Sequence, residues 1–283
     1  MKRILVLLAV LVPYFMQAQH FEAGVMVGIS NYRGDLDPES VWETFGQTHA
    51  SFGGLIRYNI NDYVAARFNV YYGTVSGDDA VGTPGQQQRN LSFKSNILEF
   101  AIGGEFNILG YQPYGLERVF SPYVFASIGI VRYNPKAFID GRWVELQPLG
   151  TEGQGLAAYP DKDLYSLTAL TVPFGVGAKY AINDRWNLGI EMGLRYTNTD
   201  YLDDISTTYP DLTILREERG DLAADLSDRS LGDTPRRAGS GRGDPGSDDW
   251  YFVAGLTITY NFFDNGLVGS RGRNRRKTGC QTF

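Results

Sequence analysis

Apolar and polar residues alternate with a period of two along most of this chain, in segments of about ten residues, the length of a membrane-crossing strand. Two hairpins show it best. Tyr58-Asn59-Ile60-Asn61-Asp62-Tyr63-Val64 and Tyr180-Ala181-Ile182-Asn183-Asp184-Arg185-Trp186 each predict a three-residue turn, at 61–63 and 183–185. The facing pairs of the first are then Ile60/Val64, Tyr58/Ala66, Ile56/Phe68, Gly54/Val70 and Phe52/Tyr72. Those of the second are Ile182/Trp186, Tyr180/Leu188, Ala178/Ile190, Val176/Met192, Phe174/Leu194 and Val172/Tyr196. One face is apolar without a break and has aromatics near both ends. The other carries Arg57, Arg67, Lys179, Glu191 and Arg195 among glycines and Asn. A soluble sandwich turns its apolar face inward and its charges to water. An apolar face this long and aromatic-edged predicts the reverse, a transmembrane β-barrel.

The pattern predicts eight strands: 21–32, the hairpin 51–74, 93–108, 122–133, the hairpin 167–198, and 251–262. In the fourth, Leu98, Phe100, Ile102 and Phe106 face outward and Glu99 and Glu105 inward. In the fifth both parities are apolar, so its facing stays open. The last strand alternates Phe252, Ala254, Leu256, Ile258, Tyr260 and Phe262 outward. It reads either as a closing strand with a terminal aromatic or as an ordinary edge strand. The expected fold is all-β: an eight-stranded antiparallel transmembrane β-barrel with a plugged interior and long extracellular loops.

Connection lengths agree. An even strand number puts both ends in the periplasm, with turns at 61–63, 109–118 and 183–185. The outer side then has the long loops 33–50, 75–92, 134–165 and 199–250. The 109–118 turn is long for its side and holds Tyr111, Tyr114 and Leu116, candidates for a periplasmic contact. The predicted interior holds Arg57, Arg67, Arg132, Lys179 and Arg195 against Glu22, Glu99, Glu105 and Glu191. Eight strands enclose a space that side chains fill, and charges there must pair. This predicts a salt-bridged core and no diffusion pore. Within the largest outer loop, 231–247 is rich in Gly and Pro and is expected to be disordered.

The first residues read as a secretory signal, 1–18: Lys2 and Arg3, an apolar run over 4–12, and a small residue, Ala18, at the cleavage point. The barrel occupies 19–263. A basic periplasmic tail, 264–283, holds Arg273, Arg275 and Arg276 and reads equally as a solvated end or a docking strap. Net charge is −6, and −8 once Lys2 and Arg3 leave, which argues against nucleic acid. The single cysteine, Cys280, excludes an internal disulfide and reads as a free thiol or an intermolecular bridge, the free thiol being the plainer reading. The two histidines, His20 and His49, offer no metal spacing, and no cofactor is expected. His49 with Ser51 is the one conceivable catalytic pair, against the plainer reading of a loop histidine. Acidic clusters at Asp35/Asp37 and Asp200/Asp203/Asp204 match no calcium loop and read as solvated acids. Arg-Gly-Asp occurs at 33–35, 219–221 and 242–244, which chance and turn chemistry explain in a chain of this composition.

Three segments together carry a resemblance. They are Gly28-Ile29-Ser30-Asn31-Tyr32-Arg33-Gly34-Asp35-Leu36, Pro173-Phe174-Gly175-Val176-Gly177-Ala178-Lys179-Tyr180, and Asp200-Tyr201-Leu202-Asp203-Asp204-Ile205-Ser206-Thr207-Thr208-Tyr209. Over about 20–263 the chain resembles the PorG-like small barrels of Bacteroidota, an outer-membrane component of the type IX secretion system. The resemblance implies a non-enzymatic barrel. Its partners would be outer-membrane lipid and a periplasmic secretion-ring lipoprotein with its partner subunit, and it would take no small-molecule substrate. The alternative is a structural or adhesion barrel without a secretion role. The motif residues Tyr32, Arg33, Asp35, Tyr201, Asp203 and Asp204 end strands that flank the last one. A loop plug is expected there, with Arg33 paired to Asp203 or Asp204.

Overall fold

A computed structural model describes residues 20–38, 40–112, 118–232 and 235–262. The strands are β1 (His20–Arg33), β2 (His49–Asn59), β3 (Val64–Asp78), β4 (Ser92–Asn107), β5 (Phe120–Arg132), β6 (Pro135–Ile139), β7 (Arg142–Glu145), β8 (Thr168–Ala181), β9 (Trp186–Thr197) and β10 (Trp250–Phe262). Among the described residues, four short α-helices lie in the long loops: α1 (Val41–Gly46), α2 (Pro84–Arg89), α3 (Leu212–Arg219) and α4 (Asp221–Ser227). Eight strands close a barrel. Neighbours in sequence pair antiparallel, β5 pairs β8, and β1 pairs both β2 and β10. Closure leaves no edge strand in the wall, so the wall's backbone groups bond within the sheet, as a bilayer demands. The small hairpin β6–β7 is additional to the predicted strands. It rises from the third long loop and joins the top of β4 through Lys94↔Lys136.

The two predicted turns form as read. Ile60 N donates to Val64 O at 2.9 Å and Ile182 N to Trp186 O at 2.9 Å. Asn61 Oδ1 and Asn183 Oδ1 each accept two backbone amides across the turn, which is why Asn opens both. The facing pairs follow the predicted register, for example Ile56↔Phe68 and Val176↔Met192.

Val25, Val27, Phe68, Ile102, Ile128, Leu170, Ile190 and Leu256 stand exposed on the outer wall. Aromatic rows border this apolar band: Trp186 and Tyr260 at the short-turn rim (rings 5.1 Å apart), Tyr196 and Trp250 at the long-loop rim (5.0 Å). An apolar band of this height with aromatic borders faces lipid, and the chain is an outer-membrane barrel on this evidence. The lumen has two layers. Toward the short turns it is ionic. Toward the long loops it is apolar, built from Tyr32, Phe93, Ile97, Val131, Tyr133, Tyr251 and Val253 with Leu202 and Ile205 descending from the last loop.

The facing of β5, open in the sequence, is settled by space. Tyr123 and Phe125 turn inward because glycines on β8 and β9 make room. A Cβ on Gly177 would lie 2.3 Å from the Tyr123 ring, and one on Gly193 2.8 Å from Phe125 Cζ. With that parity Arg132 points outward, exposed, opposite Leu98 and Thr168. It is not an interior charge, and the expected fifth cation leaves the count.

Candidate functional site

Inside the barrel, four bases meet four acids, all at most 2% exposed: Arg57, Arg67, Lys179 and Arg195 against Glu22, Glu99, Glu105 and Glu191. Strand alternation aims each inward. Arg57 is the hub. Its Nε donates to Glu105 Oε2 at 2.7 Å, Nη1 to Glu22 Oε2 at 3.4 Å and Nη2 to Tyr123 Oη at 3.1 Å. Lys179 Nζ donates to Glu105 Oε1 at 2.6 Å and lies 4.4 Å from the Tyr111 ring centre. Arg67 Nη2 reaches both oxygens of Glu191 at 2.9 Å, while its guanidinium covers the Phe125 ring at 4.1 Å. Arg195 lies 3.8 Å from Glu99, which also accepts a hydrogen bond from Tyr251. Lone charges would be costly in this buried space, and the equal count lets the charges offset one another.

A second network closes the long-loop end. Arg242 Nη1 donates to Glu152 Oε1 at 3.1 Å and Nη2 to Asp204 Oδ2 at 3.4 Å, and Nη1 also bonds the Asp204 carbonyl. Glu152 further accepts Ser206 N and Thr207 N, each at 2.9 Å. Asp204 sits in the left-handed region (φ 72°) and accepts Thr151 Oγ1 at 2.5 Å and Tyr165 Oη at 2.6 Å. The Tyr165 ring stacks on Tyr201 at 4.4 Å. Burial pushes the Asp204 carboxyl up to about 6 despite Arg242 beside it. Arg89 of α2 holds the same strap, donating Nη1 to the Arg242 carbonyl at 2.6 Å.

Beside this network, Tyr32 Oη stands 2.7 Å from Asp203 Oδ2 and 2.7 Å from Asp249 Oδ1. The far oxygens are capped by backbone: Asp203 Oδ1 accepts Ile205 N at 2.8 Å and Asp249 Oδ2 accepts Leu202 N at 2.9 Å. One phenol has one proton and cannot donate to two carboxylates at once. Burial pushes both Asp203 and Asp249 well above the usual carboxylate range, which favours a proton shared within this cluster. Gly34 packs on this contact so closely that a Cβ would lie 2.0 Å from Asp249 Oδ1.

Several expectations change here. Arg33 pairs with neither Asp203 nor Asp204. Its side chain is 77% exposed and meets Asp37 at 3.3 Å, because strand parity turns Tyr32, not Arg33, toward the lumen. Asp35 joins the plug by accepting Asp244 N at 3.1 Å. The 231–247 stretch is not disordered over its described residues: Thr208 bridges Gly241, and Arg242 is buried as the plug's central cation. Gly and Pro let this segment wind close to its neighbours, and the Arg242 ion pairs to Glu152 and Asp204 secure it together with hydrogen bonds to Asp35, Thr207 and Arg89. Arg242 therefore shows no Arg-Gly-Asp motif at the surface. His49 Nε2 bonds Ser76 Oγ at 2.7 Å, and Ser51 Oγ has no hydrogen-bond partner, so the His49/Ser51 pair is not formed. Tyr111 is no surface contact either: it is 4% exposed, its hydroxyl donating into the barrel to Asn187 Oδ1 at 2.6 Å. Tyr114, Leu116, Arg273, Arg275, Arg276 and the 1–18 signal lie outside the described residues. Sequence reasoning missed Glu152, Arg242, Asp249 and Tyr165. Their only signal was polar residues in glycine-rich loops, which solvated loops share.

The chain belongs to the family described as a domain of unknown function, DUF6089, which matches residues 1–225. No curated protein sequence matches it. Among solved structures, it is similar to Ail, the attachment invasion locus protein of Yersinia pestis. Identity is 11%, coverage 86% of this chain and 99% of that one, and the TM-score 0.38. Neisserial surface protein A shares 10% identity, with 87% and 100% covered and a TM-score of 0.41. The outer membrane protein OprG from Pseudomonas aeruginosa shares 10% identity, with 87% and 97% covered and a TM-score of 0.40.

Proposed function

We propose that this DUF6089 chain is a non-enzymatic, non-conducting anchor in the outer membrane, and that it holds or helps assemble the periplasmic ring of a type IX secretion system. The observation that carries the anchor reading is the filled lumen. A conducting barrel keeps a continuous polar path. Here an ionic layer, an apolar layer and a salt-bridged loop plug lie in series, and each consists of buried side chains. A closed wall around a filled lumen suits mechanical attachment.

The secretion reading is supported by the Asn-Tyr-Arg-Gly-Asp and Tyr-Leu-Asp-Asp motifs, which resemble those of PorG-like barrels. Within this fold Tyr32, Asp203 and Asp204 of those motifs act as latch parts. The withdrawal of Tyr111 into the barrel leaves Tyr114, Leu116 and the basic tail as the residues to test for the ring contact. Affinity purification of a tagged copy from native outer membranes, with mass spectrometry of what co-elutes, is the test. Recovery of a ring lipoprotein and its partner subunit, lost on deleting residues 266–283 or replacing Tyr114 and Leu116, is the expected result. A clean barrel at native expression overturns the secretion reading and leaves a structural outer-membrane barrel. Steady conductance in planar bilayers would overturn the anchor reading itself.

A further inference from the structure

The first long loop does not simply rise into water. In β1 the odd-numbered residues Phe21, Val25, Val27 and Ile29 face lipid, while Glu22, Met26, Ser30 and Tyr32 face the lumen. Asn31 has the lipid-facing parity and stands opposite Phe252. It is nevertheless only 8% exposed. Its Nδ2 donates to Thr44 O at 2.7 Å and to Thr48 Oγ1 at 3.1 Å. Helix α1 is therefore pinned against the outside of the barrel wall and does not lie over the lumen. Ser40 starts it, accepting Trp42 N at 3.3 Å.

The height of α1 is fixed by the strand beneath it. A membrane-crossing strand takes about 9–11 residues, and Asn31 lies ten positions above Phe21, at the outer limit of the apolar band. On β10 and β9, Trp250 stands opposite Arg33 and Tyr196 opposite Trp250, and the two form the outer aromatic row. The face of α1 turned away from the wall holds Trp42 and Phe45, three positions apart and thus on one side of the helix. They are 83% and 62% exposed, with ring centres 6.2 Å apart. Two residues beyond Asn31, Arg33 has a side chain 77% exposed, its guanidinium 3.3 Å from Asp37, and a cation just past the apolar band is placed to meet lipid phosphates. An aromatic pair continuous with a lipid-facing wall, beside an exposed cation, has the chemistry of an interfacial anchor.

We propose that α1 is such an anchor, laying Trp42 and Phe45 into the headgroup layer of the outer leaflet, with lipid as the occupant of this face. The anchor would fix the barrel's depth and rotation independently of any periplasmic partner. The test uses the full chain with Cys280→Ser, spin-labelled through Trp42→Cys or Phe45→Cys in phospholipid vesicles. Electron paramagnetic resonance measures collision with oxygen, which partitions into lipid, and with a water-soluble nickel chelate. Val27→Cys on the outer wall and Glu217→Cys on α3 are the lipid and water references, both at exposed positions. The expected result is an oxygen-to-nickel ratio at 42 and 45 several-fold above that at 217 and below that at 27. Ratios equal to that at 217 overturn the proposal. Labels that are water-accessible in vesicles yet immobilised in native outer membranes also overturn it, in favour of a protein partner. Should a labelled variant fail to fold, wild type and Trp42→Phe are compared for fluorescence quenching by lipids brominated near the headgroup. A quenched component lost in Trp42→Phe supports the anchor, and identical quenching overturns it.

Discussion

Tyr32 Oη and Asp203 Oδ2, 171 positions apart in the chain, lie 2.7 Å from each other at the base of the loop plug. The pair joins the end of the first strand to the Tyr-Leu-Asp-Asp segment, and Asp249 completes it from the foot of the last strand. Tyr32→Phe should therefore leave two buried carboxyls without their shared hydroxyl, at a cost of about 1–3 kcal/mol. Arg33→Ala, which removes only an exposed pair, should stay within about 0.5 kcal/mol. Urea-unfolding midpoints of the refolded barrel compare the two. Equal losses would restore Arg33 as the latch.

The plug should loosen as pH rises. Burial pushes Asp204 up to about 6 and Asp200 up to about 8, the latter with Asp35, Glu152 and Asp248 nearby. In an opened loop both would titrate near the ordinary value of about 3.9. The closed plug thus binds the protons more tightly. Its stability is fullest below about pH 4 and is lost as pH rises through about 6 and then about 8. Limited proteolysis of the outer loops should run slower at pH 5 than at pH 8.5, and Asp200→Asn should flatten the upper part of that dependence. Faster cleavage at pH 5 would contradict it.

Arg242 is the plug's central cation, and removing it strands Glu152 and Asp204. Breaking a buried pair costs about 3–5 kcal/mol. Arg242→Ala should raise proteolytic cleavage of the last long loop by at least about 100-fold, since about 1.4 kcal/mol is tenfold. The barrel strands should stay protected. Arg242→Lys should not restore protection, because an ammonium cannot reproduce the fork that spans both acids and a carbonyl. Unchanged cleavage in Arg242→Ala would show that the loop is held by other contacts.

Glu105 neutralises Arg57 and Lys179 directly, with Arg67 at 3.6 Å. Glu105→Gln leaves an excess of buried positive charge. It should lower barrel stability by about 3 kcal/mol or prevent refolding. Arg132→Gln, at an exposed outward position, should leave the urea midpoint nearly unchanged. A similar loss in both would place Arg132 back among the core charges.

The sequence by itself determined the barrel wall. A period of two over strands of membrane-spanning length leaves one arrangement in which the apolar face meets lipid and the charges meet each other. Two Asn-opened turns then set the register of both hairpins. The same alternation placed Glu22, Arg57, Arg67, Glu99, Glu105, Lys179, Glu191 and Arg195 inside. It was silent where both parities are apolar, so only packing against Gly177 and Gly193 fixed the facing of β5 and turned Arg132 outward. A plug at this end was expected from the motifs, but its pairing was decided by tertiary structure alone. Strand parity aims Tyr32, while Glu152 comes from the third long loop and Asp204, Arg242 and Asp249 from the last, with no periodicity to align them, and Arg242 sits in a stretch whose composition suggests disorder. Local pattern reports which face a strand residue takes, because the backbone enforces it. It cannot report which distant loop will bring a counter-charge, because that depends on how the closed barrel gathers its loops over one opening.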